Sequence, residues 1–207
     1  YFELASFSKI ITRWFELDKI ADPVLKFLFE TYFSDFVLNE NGFLNQAQAL
    51  ETFHRRLNRV PVDQMDQWEG CMKVISSSIQ DIKLKEWTLE KLQYSYEPSL
   101  RFRLKALIKP LREIEEIKEI KLDNNFIGHI TDSRNFYTHY DFKHKDSPSI
   151  LKGEKLTKAT LKLKIVMILT ILKYIGFENP FFSRIIREGR LLNWSYVNCE
   201  AMGKRND

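Results

Sequence analysis

Lys155-Leu156-Thr157-Lys158-Ala159-Thr160-Leu161-Lys162-Leu163-Lys164-Ile165-Val166-Met167-Ile168-Leu169-Thr170-Ile171-Leu172-Lys173-Tyr174-Ile175, closed by Gly176, is the stretch on which the fold class turns. Its longest apolar run, Ile165 to Leu172, is broken by Thr170 and bounded by Lys164 and Lys173. That is far short of the roughly 20 apolar residues a membrane span needs. The run therefore predicts a long buried helix in a soluble protein, with Gly176 ending it.

Outward from this helix, apolar residues keep returning at three- and four-residue spacing. Phe2 to Leu17 reads as one helix, and a second starts after Asp22 with Pro23 in its first turn and runs through Phe33. Asn39 to Gly42 reads as a turn. Phe43 to about Arg59 is helical, with Leu44, Ala47, Leu50, Phe53 and Leu57 on one side and Pro61 stopping it. Met65 to about Ile79, Glu86 to Tyr94 and Pro98 to Ile108 continue the pattern. Pro110 opens a further helix to Ile120, whose Glu and Lys residues read as a solvated face. Asn124 to Ile130 forms a turn or two, Thr131, Asp132 and Ser133 offer caps for a fresh start, and Arg134 to about Phe142 is the next helix. Pro148 and Gly153 mark a loop, and Pro180 to Arg187 is a last helix. No strand-like alternation competes, so the expected fold is all-α, with eight to ten helices.

Composition agrees: of 207 residues 44% are hydrophobic and 29% charged, with only 7 Gly and 6 Pro. These proportions exclude disorder and collagen-like sequence. A net charge of +4 permits nucleic acid as a partner without requiring it. Cys71 and Cys199 are too few for a disulfide scaffold and lack zinc-site spacing, so they read as reduced thiols, and no metal or cofactor is expected. The chain opens at Tyr1 without Met or signal-peptide pattern, which predicts a cytoplasmic fragment of a longer protein.

Phosphate-binding glycine loops, nucleophile elbows, zinc-protease helices and calcium loops are absent from the sequence. Of the four histidines, His54 reads as a solvated helix position beside Arg55 and Arg56, and His129 and His144 as surface or RNA-facing residues. His139 differs, because Asp132-Ser133-Arg134-Asn135-Phe136-Tyr137-Thr138-His139-Tyr140-Asp141 sets an Arg, an Asn and a His within two turns of one helix. Asn135 and His139, four apart, share a face, while Arg134 lies about 140° round from His139 and can swing toward it. Arg supplies a fork of donors for phosphate oxygens, His a proton donor or acceptor near neutrality, and Asn an orienting amide. With 12 Arg, 11 Asn and 4 His in the chain, Arg-Asn-x-x-x-His is expected by chance about 0.01 times.

An all-α chain with this motif in a late helix resembles the HEPN superfamily. Asn45-Gln46-Ala47-Gln48-Ala49-Leu50-Glu51-Thr52-Phe53-His54-Arg55 and Ser133 to Asp141 resemble its ApeA-like branch, found in bacterial anti-phage defence proteins. The resemblance covers Phe43 to Gly189. It divides the chain into N-terminal helices 1–42, joining to an absent upstream domain, and a HEPN-like helical domain 43–207. It implies a metal-independent endoribonuclease acting as a homodimer, in which the RNA 2′-hydroxyl attacks the adjacent phosphorus. Carried over by position, Arg134 stabilises the phosphorane, His139 acts as acid or base, and Asn135 orients them. One departure is that Tyr140 directly follows His139, whereas some members carry Tyr two residues after the His, where this chain has Asp141.

Glu51 is a candidate for holding Arg134 or His139 in place. Lys143 to Lys164 carries seven lysines against Asp146 and Glu154, a local net of +5 beside the motif, suited to an RNA backbone. Lys143 and Lys145, with Tyr140 as a stacking ring, are the candidate contacts to tRNA or single-stranded RNA. The alternative reading is a catalytically silent HEPN-like module for dimerisation or RNA binding.

Overall fold

The structure, a computed structural model, describes residues 4–33, 40–58, 62–140 and 145–188. Among these residues there are helices and no strand. They are α1 (Leu4–Phe33), α2 (Glu40–Leu57), α3 (Val62–Ser78), α4 (Ile82–Leu92), α5 (Leu100–Ile108), a 3₁₀ segment (Lys109–Glu113), α6 (Glu115–Glu119), α7 (Asn124–His139), α8 (Gly153–Ile175) and α9 (Asn179–Arg187). No described helix is long and apolar enough to cross a membrane.

Two compact units result, one from Tyr1–Arg56 with Leu100–Asp207 and one from Leu57–Ser99. The smaller consists of α3 and α4. Asp81 caps α4 by accepting the Leu84 amide at 2.7 Å, and the Trp68 indole donates to Ser95 Oγ at 2.9 Å while its ring meets Tyr96 edge-on.

In the larger unit α8 is the hub. Leu163, Val166, Met167 and Leu169 are fully enclosed, because α1 packs on one side and α5 with the 3₁₀ segment on another. Gly176, at φ +109°, ends α8 in the left-handed region that favours glycine. α1 bends at Ala21 (φ −115°, ψ 15°), two residues before a proline whose missing N–H opens the helical ladder. Arg56 of α2 donates to the Ile20 carbonyl at this bend, at 2.9 Å. α2 is held to its neighbours by rings: Phe43 meets Tyr137 of α7 edge-on at 6.1 Å, and Phe53 meets Tyr174 of α8 at 6.3 Å.

Several sequence expectations need correction. α7 is one continuous helix from Asn124, capped by Asp123, whose carboxylate accepts the Phe126 amide at 2.8 Å. Thr131 instead back-bonds to the Ile127 carbonyl, and Ser133 is fully buried and accepts the Leu151 amide at 2.8 Å. The helix expected from Pro110 to Ile120 is a 3₁₀ turn and a short α6 broken at extended Ile114, and Glu116 on its supposedly solvated face is buried, accepting from Ser183 at 2.7 Å. α7 ends at His139, earlier than Phe142, because Tyr140 adopts the left-handed conformation (φ 47°).

His54 is the largest departure. It is buried at 6% exposure on the inner face of α2, its Nδ1 3.4 Å from Nη1 of Arg103, which is itself 1% exposed. Burial, and after it the Arg103 charge, hold the imidazole below its ordinary value of 6.5. The unfolded chain therefore takes up a proton that the folded chain refuses, so stability from this source is full above about pH 6.5 and is lost as pH falls below it. Melting midpoints are expected to drop between about pH 7 and pH 5, and His54→Gln to flatten that drop. An equal slope in the variant would remove His54 as the cause.

Candidate functional site

The late-helix motif and α2 meet in the larger unit. Asp123 starts α7, and three of its side chains, one turn apart, stitch it to the segment before α8. His129 Nδ1 bonds the Ser149 carbonyl at 2.9 Å, Ser133 accepts Leu151 N–H, and the Tyr137 hydroxyl donates to the Leu151 carbonyl at 2.8 Å. Burial first, then the Glu40 carboxylate and Tyr140, push the Tyr137 hydroxyl above its ordinary range, which keeps it a donor. With that face of α7 committed to packing, Arg134, Asn135 and His139 are left toward the outside. His129 is thus half-buried and bonded rather than a surface or RNA-facing group.

Arg134 makes two contacts. Its Nη2 donates to Glu51 Oε2 at 3.4 Å, and its Nη1 to Oδ1 of adjacent Asn135 at 3.3 Å. The other Glu51 oxygen accepts from Arg55 Nη2 at 3.1 Å. One carboxylate with a side chain only 17% exposed thereby bridges two guanidinium groups, and the trio carries a net charge of +1. Its partner is Arg134, not His139. Asn135 and His139 are both exposed, as residues four apart on one helix face should be. Among the described residues His139 makes no hydrogen bond, so Arg134 and Asn135 are in contact while His139 stands one turn further on.

Between α2 and α7 runs a cleft of ≈ 510 Å³. Leu44, Gln48, Glu51, Thr52 and Arg55 line it from α2, and Arg134, Tyr137 and Thr138 from α7. Arg55, Gln48 and Thr52 were not among the candidates from sequence. The usable signal for Arg55 was its place one turn after Glu51.

Tyr140 is exposed, with its ring 5.8 Å from Phe136 and 6.1 Å from Tyr137. Lys145 is exposed, whereas Lys143, His144 and Cys199 lie outside the described residues. The basic stretch is less open than its sequence suggests. Lys164 is buried and its ammonium held below its ordinary value by desolvation, Lys158 pairs with Glu154 at 3.0 Å, and Lys162 lies 5.6 Å over the Phe126 ring. Among the described residues no three His, Cys, Asp or Glu side chains converge as a metal site would require.

Fold and site together define an all-α domain with an Arg-Asn pair and an exposed His on one late helix, beside a cleft lined by a carboxylate. The Apea-like HEPN family model matches residues 44–181, about two thirds of the chain, and the protein belongs to that family. That range takes in most of α2, all of α7 and α8 and every residue of the cleft. Comparison with curated proteins and with solved structures gives no match. HEPN domains are in general ribonucleases.

Proposed function

We propose that the protein is a metal-independent endoribonuclease and an effector of anti-phage defence, working in the cytoplasm as a homodimer whose two copies of α7 face a shared RNA site. The observation that carries this reading is the Arg134–Asn135 contact, backed by Glu51 and followed one turn later by exposed His139, in a chain of this family.

In the proposed reaction the 2′-hydroxyl of a bound ribonucleotide attacks the adjacent phosphorus, and the bond to the 5′-oxygen of the next residue breaks. One proton leaves the attacking oxygen and one reaches the departing oxygen. His139 is the group for one of these transfers, at the exposed end of α7 where RNA has access. Arg134 offers its guanidinium to the charge that builds on the phosphorane, and Asn135 and Glu51 hold that guanidinium in place. Lys143, Lys145 and Tyr140 would meet the backbone and an unpaired base next to the scissile bond.

The product ends test this directly. Incubated with tRNA or single-stranded RNA in EDTA, the protein is expected to leave a 2′,3′-cyclic phosphate and a 5′-hydroxyl, read by end-specific labelling. A 5′-phosphate end, or cleavage that stops in EDTA, would overturn the mechanism. A second reading, a silent dimerisation or RNA-binding module, has one observation behind it: His139 makes no hydrogen bond to Arg134 or Asn135 among the described residues. RNA left intact but bound would select it.

A further inference from the structure

The exposed face of α2 is graded along its length. Leu44, Gln48, Thr52 and Arg55 follow one another at helical spacing, apolar, then neutral polar, then cationic, and each lines the cleft facing α7. On the α7 side the largely buried Tyr137 lines the same cleft, with Arg134 at the cationic end. Leu44 to Arg55 spans about 16 Å of helix, enough for a base and the phosphates on either side of it. The volume of ≈ 510 Å³ falls within the ~300–1,000 Å³ of small-molecule sites.

Helical threonines here commonly turn inward to their own backbone, as Thr138 does to the Arg134 carbonyl at 2.7 Å and Thr131 to Ile127 at 2.8 Å. Thr52 does not. Among the described residues neither its hydroxyl nor the Gln48 amide is engaged in a hydrogen bond. A helix face that offers an amide and a hydroxyl between an apolar wall and two arginines has the layout of a nucleotide. Unpaired RNA bases are read through donors and acceptors on their edges, and their phosphates by arginine.

We propose that this cleft is the base-reading subsite of the enzyme: one unpaired nucleobase of the substrate lies against Leu44 and Tyr137, its edge is read by Gln48 and Thr52, and its phosphate meets Arg55 and Arg134. The inference rests on the ribonuclease reading above and adds to it the side chains that set base preference. Gln48 and Thr52 are specificity residues in it, with no part in proton transfer.

The test is cleavage of a random-sequence single-stranded RNA pool by the wild type, Gln48→Leu and Thr52→Val, with the cut ends sequenced. Gln48→Leu removes the amide and its hydrogen-bonding capacity at an exposed helix position, so folding is not at stake. Wild type is expected to favour one base at a fixed position beside the cut. Gln48→Leu should reduce that preference by about 5- to 100-fold and Thr52→Val by less, with cleavage of the pool continuing. Cleavage with the same base profile in wild type and both variants would overturn the subsite and leave the ribonuclease standing. If wild-type protein does not cut, the ribonuclease reading fails, and binding to labelled poly(A), poly(C) and poly(U) decides the subsite. Discrimination that Gln48→Leu abolishes supports it, and equal binding by both proteins overturns it.

Discussion

His139→Ala is expected to lower the rate of RNA cleavage by about 10²- to 10⁴-fold, the range for removing a positioned proton-transfer group. The substitution leaves the fold intact. His139 is exposed, lies in the last turn of α7 and makes no hydrogen bond among the described residues, so stability should shift by no more than about 0.5 kcal/mol. Single-turnover rates and a urea melt on the same samples separate the two effects. A variant that cuts at the wild-type rate would remove His139 from the mechanism, and one that loses activity in step with its fold would make the loss structural.

Arg134→Ala should cost about 10²- to 10³-fold in kcat, as removal of a group that stabilises transition-state charge does. Its contacts are not strong enough for the effect to be one of stability. The Arg134 side chain is 34% exposed and its approach to Glu51 is 3.4 Å, so the pair contributes under about 1 kcal/mol after solvent screening. Arg134→Lys retains the charge but loses the planar fork that reaches Glu51 and Asn135 with separate nitrogens, and is expected to recover little. Glu51→Gln should lower the rate less than Arg134→Ala, and the double variant should be no worse than Arg134→Ala alone if Glu51 acts through Arg134. Additive losses would assign Glu51 a separate task. Wild-type cleavage by Arg134→Ala would exclude the phosphorane role.

Helix existence was readable because it depends on a repeating apolar spacing, and α2, α8 and α9 lie within a few residues of their expected limits. Helix joints were harder. Thr131, Asp132 and Ser133 are chemically good caps, yet Asp123 was used, because Ile127 and Ile130 bury continuously with Tyr137 and burial outweighs a cap. Pro110 opened only a 3₁₀ turn, with Ile114 turned inward at 1% exposure to break the helix. The neighbours Arg55 and Arg56 make His54 read as solvated. Its spacing from Phe43, Ala47 and Leu50 sets it on the buried face, where its ring lies against Phe102 and near Arg103, 49 residues away. Arg134, Asn135 and Glu51 were legible as types and spacings. That Glu51 takes Arg134 rather than His139 is a fact of how α2 lies beside α7, which no local pattern encodes.

The Arg134–Glu51 pair joins residues 83 positions apart in the chain. During synthesis at about 5–20 residues per second, one wall of the cleft waits on the order of 4–17 s for the other to be made. Throughout that interval the ribosome carries a chain that has Glu51 and Arg55 but not yet Arg134, Asn135 or His139. A protein proposed to cut RNA is thus assembled beside ribosomal RNA with its cutting groups added late, and the order of its helices alone delays the moment at which the translating machinery first meets a complete site.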